Sequence, residues 1–367
     1  MNSVQKLFII HTANMTGGGS QSIRELIQNL DEKIDLLVNI DHRVNSSALK
    51  KFYGKNVRKI YRFHLPFRRS ALGLKLEKNA AKEWIDRERE YLRDKKKIYD
   101  LIRRNKYHFI HLNSYVLYPL ISSRFPMYIH IREIFEGNFM TRKIVNQRLR
   151  QARGIFYIDY AVKESFGVCN KKEIVLNNPF DQSAVLGVDK ENVLNSYHLQ
   201  GNRTIFTFVS ARFDEIKGFD YVIEEFVCSN CSNAELVVVG SNAPQKYKQI
   251  PNVHFLGRIQ NMEEIYAISD FVVRGDIIFA VGRTTYEALY SGCHVMVPGN
   301  KDTDKAKLFE YDAFEDRIMF YEPRKKGALA GAMKSVDGMK KEKCLGLSNE
   351  TEYVRQFLQF VEGGRKQ

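Results

Sequence analysis

The sequence predicts an α/β chain built as two Rossmann-like, doubly wound domains in series. Short apolar runs alternate with amphipathic segments in both halves, the pattern of βα units and a parallel sheet. One stretch rich in Asn, Pro, Gly and Asp, "VLNNPFDQSAVLGVDKENVLNSYHLQGNRT" (175–204), breaks that series and reads as an interdomain connection. A length of 367 residues with 44% hydrophobic content suits two domains of ordinary size.

In the first half, "KLFIIHTAN" (6–14) is an apolar run ending in small polar residues, a buried strand. "TGGGSQSIRELIQNL" (16–30) follows as a glycine-rich turn and a helix with Ile23, Leu26, Ile27 and Leu30 on one face. "KIDLLVNI" (33–40), "FIHLNS" (109–114), "MYIHIRE" (127–133) and "GIFYIDY" (154–160) read as further strands. In the second half the strands are "TIFTFVSA" (204–211), "ELVVVG" (235–240), "VHFLG" (253–257), "DFVVRG" (270–275) and "HVMVPG" (294–299). "FDYVIEEFV" and "MEEIYAIS" are helices between them. "NETEYVRQFLQFVEG" (349–363) starts at an Asn349 cap, with Val354, Phe357, Leu358 and Val361 at helical spacing. Sheets of this kind bind ligands at the carboxyl ends of their strands, and two facing each other make a cleft.

Composition narrows the class. The run "LFII" is too short for a signal-peptide core, and no stretch approaches the length of a membrane span, so a cytoplasmic protein is expected. Five scattered cysteines argue for reduced thiols. "CSNC" (228–231) falls at the end of a helix, where a redox pair would need a helix start; packing cysteines are the expectation. The net charge of +14 is concentrated: residues 51–106 hold 19 Lys/Arg against 7 Asp/Glu, a net +12. In the helix predicted over 76–104, Trp84, Tyr91, Ile98 and Leu101 recur among cations, a pattern that suits an anionic membrane surface. No nucleic-acid-binding module is present, so nucleic acid is not an expected partner.

Three loops carry candidate chemistry. Gly17, Gly18 and Gly19 let a ligand approach the backbone at a helix start; a plain tight turn is the other reading. Arg212 and Lys217 follow the first strand of the second domain, where two cations can clamp a diphosphate. Gly218 then allows a helix to begin. In "VGRTTYEALYSG", Thr284 or Thr285 caps a helix that Gly292 ends, and Glu287 stands in its first turn. That carboxylate can accept two hydrogen bonds from a ribose diol. His111, His130, Arg132 and Glu133 stand at or near strand ends of the first domain, as candidate site residues. "DTD" (302–304) sits in a polar loop rather than after an apolar strand, so no essential metal and no cofactor are expected.

These blocks together resemble GT-B fold glycosyltransferases of the large retaining family that uses nucleotide-sugar donors, which includes many polysaccharide-assembly enzymes. The matching blocks, in order, are the loop 17–19, "SARFDEIKGFDYVIEEF", "ELVVVG…NVHFLGRIQNMEEIYAISDFVV" and "VGRTTYEALYSGCHVMVPG". The resemblance implies an acceptor-binding domain over 1–178 and a nucleotide-sugar-binding domain over 179–345. A C-terminal helix, 346–367, would cross back to the first domain. It implies that Gly18 and Gly19 approach the donor phosphate and that Gly17 and Arg132 face the acceptor. Arg212 and Lys217 would hold the diphosphate, and Glu287 the ribose. The backbone near Arg258 and Ile259 would read the base. His111 and Glu133 are the candidates for assisting the acceptor hydroxyl.

The departure from the family is at Phe279, where the first acid of the family's acidic pair would contact the transferred sugar. Two substitutes stay open: Asp276 on a looped-out turn, or a helix start at Gly282 and Arg283 whose Thr284 and Thr285 N–H groups face phosphate. The expected activity is hexosyl transfer from a nucleotide-sugar to a saccharide or lipid-linked acceptor, in surface polysaccharide or glycolipid synthesis. Basic residues 51–106 would give peripheral attachment to the inner face of the cell membrane. The alternatives are a same-fold sugar-nucleotide epimerase and a non-catalytic basic membrane-surface or nucleotide-binding protein. A dinucleotide-dependent oxidoreductase is opposed by the missing G-x-G-x-x-G.

Overall fold

The computed structural model describes residues 6–363 except 16, 66–79, 136, 168–171, 182, 212, 243, 248, 278, 280–281 and 342–348; for 80–91, 183 and 184 it describes the backbone alone. The chain divides into two compact units, Met1–Pro179 with Glu350–Gln367, and Phe180–Asn349.

The first unit runs β1 (Lys6–Ile10), α1 (Gly18–Gln28), β2 (Ile34–Asn39), α2 (Ser46–Tyr53), β3 (Val57–Phe63), α3 (Ala80–Asn105) and β4 (Phe109–Asn113). Then come β5 (Met127–Ile131), α4 (Phe139–Leu149), β6 (Gly154–Tyr157), α5 (Tyr160–Phe166) and β7 (Glu173–Val175). Its seven strands are parallel and lie in the order β3-β2-β1-β4-β5-β6-β7. Strands β1, β4, β5 and β6 are buried at every position, as apolar runs covered on both faces must be. The helix α14 (Glu350–Glu362), far away in sequence, completes one face of this unit. Its Tyr353, Phe357 and Val361 are buried in the core formed with β1, β2, α1 and α2.

Part of the basic middle segment reads differently in three dimensions. The sequence reading passed over α2 and β3. Of α3, Ile98 is fully buried and Leu101 packs on the same core, so this part of the apolar stripe faces the protein. That corrects the expectation of a membrane-facing stripe over those two positions; the Trp84 and Tyr91 side chains lie outside the described residues.

The second unit begins with α6 (Ser183–Leu186) and α7 (Lys190–Ser196), two short helices where an irregular connection was expected. It continues β8 (Thr204–Ser210), α8 (Phe219–Ser229), β9 (Ala234–Gly240), β10 (Val253–Gly257), α9 (Met262–Ile268), β11 (Phe271–Val273) and α10 (Arg283–Tyr290). The remainder is β12 (His294–Pro298), α11 (Lys301–Asp304), α12 (Tyr311–Phe314), β13 (Ile318–Tyr321) and α13 (Ala328–Ser335). Its six parallel strands have the order β10-β9-β8-β11-β12-β13. In both sheets the chain winds outward one way from the first strand and then returns to its other side. The switch point lies between β1 and β4 in one unit and between β8 and β11 in the other, where doubly wound sheets open a ligand crevice. Cys228, expected to pack, is exposed; Cys231 packs against the core of this unit, and both are free thiols.

Candidate functional site

In the first unit the glycine loop sits at the switch point. Gly17 is the N-cap of α1 and contributes no side-chain cap. A Cβ on Gly17 would meet nothing within 4 Å, and one on Gly19 would stand at an ordinary 3.7 Å from the Arg132 side chain. Neither contact forbids a side chain, so packing alone does not require these two glycines, and the space over Gly17 is open. The rim is ordered by polar side chains. Asn113, the last residue of β4, donates from Nδ2 to the Gly19 carbonyl at 3.1 Å and accepts Arg132 Nε at 2.6 Å. Arg132, just past β5, also reaches Asn178 Oδ1 at 2.5 Å through Nη1 and approaches His130 Nδ1 at 3.2 Å through Nη2. Glu133 accepts the Arg132 N–H at 3.2 Å. Asn113 and Asn178 were missed by sequence reasoning; asparagine at a strand end was the available signal.

His111 takes a different place from the one expected. It is the third of five residues in β4, fully buried, with its ring among Phe8, Phe109, His130, Phe156 and Phe357. Among the described residues neither ring nitrogen has a hydrogen-bond partner. Burial, and then the charge of Arg132, push its pKa well below the ordinary imidazole range. An imidazole sealed in this cluster does not reach an acceptor hydroxyl, which corrects the catalytic expectation for His111.

In the second unit a charged cluster occupies the switch point. Gly218 has φ +68°, and a Cβ there would stand 1.8 Å from the Gly275 carbonyl oxygen, so only glycine lets the start of α8 press against the loop after β11. That approach sets Lys217 beside Asp276, with Nζ to Oδ1 at 2.6 Å. The other carboxylate oxygen of Asp276 accepts Arg274 through Nε at 2.9 Å and Nη2 at 2.6 Å. Arg274 continues through Nη1 to Thr284 Oγ1 at 2.8 Å in the first turn of α10. Arg274 and Asp276 are buried, whereas Lys217 remains one-third exposed. The described part of the cluster carries two cations to one carboxylate. Arg212 lies outside the described residues. Arg274 was missed; its signal was a cation closing an otherwise apolar strand.

The start of α10 corrects several expectations. Its N-cap is Gly282, and neither Thr284 nor Thr285 caps it. A Cβ at Gly282 would come within 2.9 Å of Arg274 Nη1, so this glycine makes room for the arginine. Thr285 donates its N–H to the Gly282 carbonyl at 3.0 Å, which removes it as a phosphate donor. Because the helix begins at Arg283, Glu287 stands beyond its first turn. Glu287 accepts Arg283 Nε at 2.5 Å and the Tyr266 hydroxyl at 2.7 Å, so Arg283 is directed to Glu287 rather than aimed at phosphate. Arg283 also lies over the Phe180 ring, 5.6 Å from its centroid. Burial first, then Glu287, holds the Tyr266 phenol neutral, well above its ordinary range. Each Glu287 oxygen retains a further lone pair for a diol.

Phe279 packs inward against Phe320, with ring centroids 6.4 Å apart, and belongs to the core around β12. Asp276, the looped-out substitute, is buried with both oxygens committed to cations. Arg258 is exposed after β10, while Ile259 packs on the neighbouring core. Asp302 and Asp304 stand on α11, a short helix where a loop was expected, and Asp304 pairs with Lys307. Among the described residues no group of three or more His, Cys, Asp or Glu could hold a metal ion, and no helix is long and apolar enough to cross a membrane.

Comparison with known proteins agrees with this geometry. Residues 203–335 match the family model described as Glycosyl transferases group 1. No curated protein matches the chain. Among solved structures, Anabaena HepE in complex with UDP and glucose superposes with TM-score 0.65 at 15% identity, covering 98% of each chain. A glycosyltransferase from Rickettsia africae superposes with TM-score 0.67 at 14% identity over 100% of both chains. Sucrose-phosphate synthase from Thermosynechococcus elongatus gives 0.67 at 13% identity, over 99% of this chain and 97% of that one. Residues 203–335 carry a group 1 glycosyl transferase domain, and the chain has the two-sheet α/β architecture of the GT-B fold.

Proposed function

We propose that the chain transfers a hexosyl group from a nucleotide-sugar donor to a saccharide or lipid-linked acceptor, with retention, in surface polysaccharide or glycolipid assembly. The observation that carries this reading is the connected set Lys217–Asp276–Arg274–Thr284 at the switch point of the second sheet. Breaking the bond between sugar C1 and the diphosphate leaves negative charge on the leaving group. Fixed cations beside a helix N-terminus stabilise that charge without reorganising. Lys217 supplies the exposed ammonium, with Arg212 beside it in sequence. Asp276 and Arg274 position Lys217 and the first turn of α10, and Glu287 receives the ribose diol. The Thr284 N–H, one of the first-turn groups of α10, takes over contacts to the donor where Phe279 supplies no acid. Backbone near Arg258 and Ile259 faces the base. On the acceptor side, Gly17 leaves open space, with Arg132 and Glu133 at the rim, and Gly18 and Gly19 approach the donor phosphate. This reading assigns the charge of the leaving group to protein cations, with no metal.

The HepE complex contains UDP and glucose, so UDP-glucose is the first donor to test. Thermal shift with UDP, GDP, ADP, CMP and NAD should show stabilisation by one nucleoside phosphate. Stabilisation by NAD alone would overturn the reading. Lys217→Ala should reduce donor turnover by two orders of magnitude or more, roughly the value of one preorganised group on a developing anion, with an unchanged circular dichroism spectrum. Full activity in both Lys217→Ala and Arg212→Ala would remove the diphosphate clamp.

A further inference from the structure

The helix α4 carries an apolar face that the protein leaves uncovered. Val145, Asn146 and Leu149 are buried against the first unit, whereas Phe139, Met140 and Ile144 are 76%, 64% and 54% exposed. These three large side chains lie within two turns of one helix. Isolated exposed apolar residues are ordinary on a surface, but a contiguous group points to an interaction.

Their surroundings have one sign of charge. Residues 137–158 contain Arg142, Lys143, Arg148, Arg150 and Arg153 and no Asp or Glu. Arg142, Lys143, Arg148 and Arg150 are exposed. The charge of Arg148 reaches Lys95 of α3 and contributes, after burial, to lowering the Lys95 pKa. The two helices therefore share a cationic surface, continued on α3 by exposed Lys96 and Arg104, while Lys97 and Arg103 pair with Asp94 and Asp100. α4 begins seven residues beyond Arg132, at the carboxyl end of the parallel strands, the same end of the sheet as the glycine loop.

The geometry points to α4 as an interfacial anchor, with Phe139, Met140 and Ile144 inserted at the surface of an anionic lipid bilayer and Arg142 and Lys143 at headgroup level. A shallow apolar face with Lys143 on it and Arg142 and Arg148 beside it fits a helix lying in the plane of the headgroups. A second copy of the chain fits poorly: an isologous contact would set the acid-free cationic surface against itself. This assignment is independent of the transfer chemistry. It also places the lipid contact on a different element from the buried positions Ile98 and Leu101.

The test is flotation of the full chain with phosphatidylcholine vesicles, with and without phosphatidylglycerol, at low and high salt. The wild type should float with the anionic vesicles at low salt and lose most binding at high salt. The triple variant Phe139→Ser/Met140→Ser/Ile144→Ser should bind roughly tenfold more weakly or worse. Arg142→Glu/Lys143→Glu should lose binding to the anionic vesicles in the same way. Circular dichroism and transfer to a soluble acceptor check that each variant is folded. Wild-type protein that stays with the soluble fraction, or a triple variant that floats as well as the wild type, would overturn the assignment. So would a wild-type dimer in light scattering that the triple variant abolishes, because the face would then be a contact between copies.

Discussion

At the scale of single residues, Gly19 separates what the fold needs from what a ligand needs. Its position near the start of α1 is helical, and a methyl group there meets only ordinary contact with Arg132. Alanine at such a site restricts the unfolded chain and favours helix, a gain of about 0.5–1 kcal/mol. Gly19→Ala should therefore raise the melting temperature slightly while lowering transfer activity, because the methyl group stands where the backbone would approach the donor phosphate, beside Arg132 and Asn113. A variant that loses stability would show that the glycine serves the turn, and one that gains stability and keeps full activity would show that no ligand needs it. The place of this loop was legible in the sequence, since three glycines between an apolar run and an amphipathic helix mark the turn from β1 into α1. Arg274 and Asn113 were not. Their importance comes from partners 10 or more residues away in sequence, Thr284 and Gly19, which only the folded backbone brings near.

Among the elements, β4 shows how a strand interior can mimic a site. His111 and Asn113 stand on one five-residue strand, yet Asn113 orders the rim of the glycine loop while His111 is sealed between aromatic rings. Because folding lowers the His111 pKa, the unfolded chain binds a proton below about pH 6.5 that the folded chain refuses. Stability is therefore fully present above that pH and falls as pH drops, by about 1.4 kcal/mol per pH unit for each such histidine. His130 is lowered for the same first reason, burial, so two groups contribute. Denaturant titrations between pH 7 and 5 should show this slope, and His111→Phe should remove roughly half of it. An unchanged slope would mean that His111 is protonated in the fold. The core strands were legible because continuous apolar runs fix them. The edge strands of the first sheet were not: β3 has one buried residue, then two adjacent exposed cations and four partly buried positions, and β7 is three residues long with none fully buried. The N-cap of α10 was misread because a glycine cap leaves no side-chain signature, and two threonines beside it do.

The molecule as a whole has two sets of hydrophobic cores, one set per unit, and the chain closes the first with its last helix. Phe357 is the central residue of that closure. It is fully buried, stacks on Phe156 at a centroid distance of 5.0 Å, and meets Phe109 edge-on at 5.8 Å. Truncation of a buried phenylalanine costs about 3–5 kcal/mol, and here the cavity would open between α14 and the middle of the first sheet. The loss should be confined to one unit, because Phe357 belongs to the core formed with β1, β2, α1 and α2. Hydrogen exchange followed by mass spectrometry can read the two units separately. Phe357→Ala should release the amides of β1, β4, β5 and β6 while those of β8, β9, β11 and β12 keep their protection, since exchange reports local and sub-global opening unit by unit. Equal loss in both sheets would mean that the units unfold as one body, and no loss in either would mean that α14 is not part of the first core.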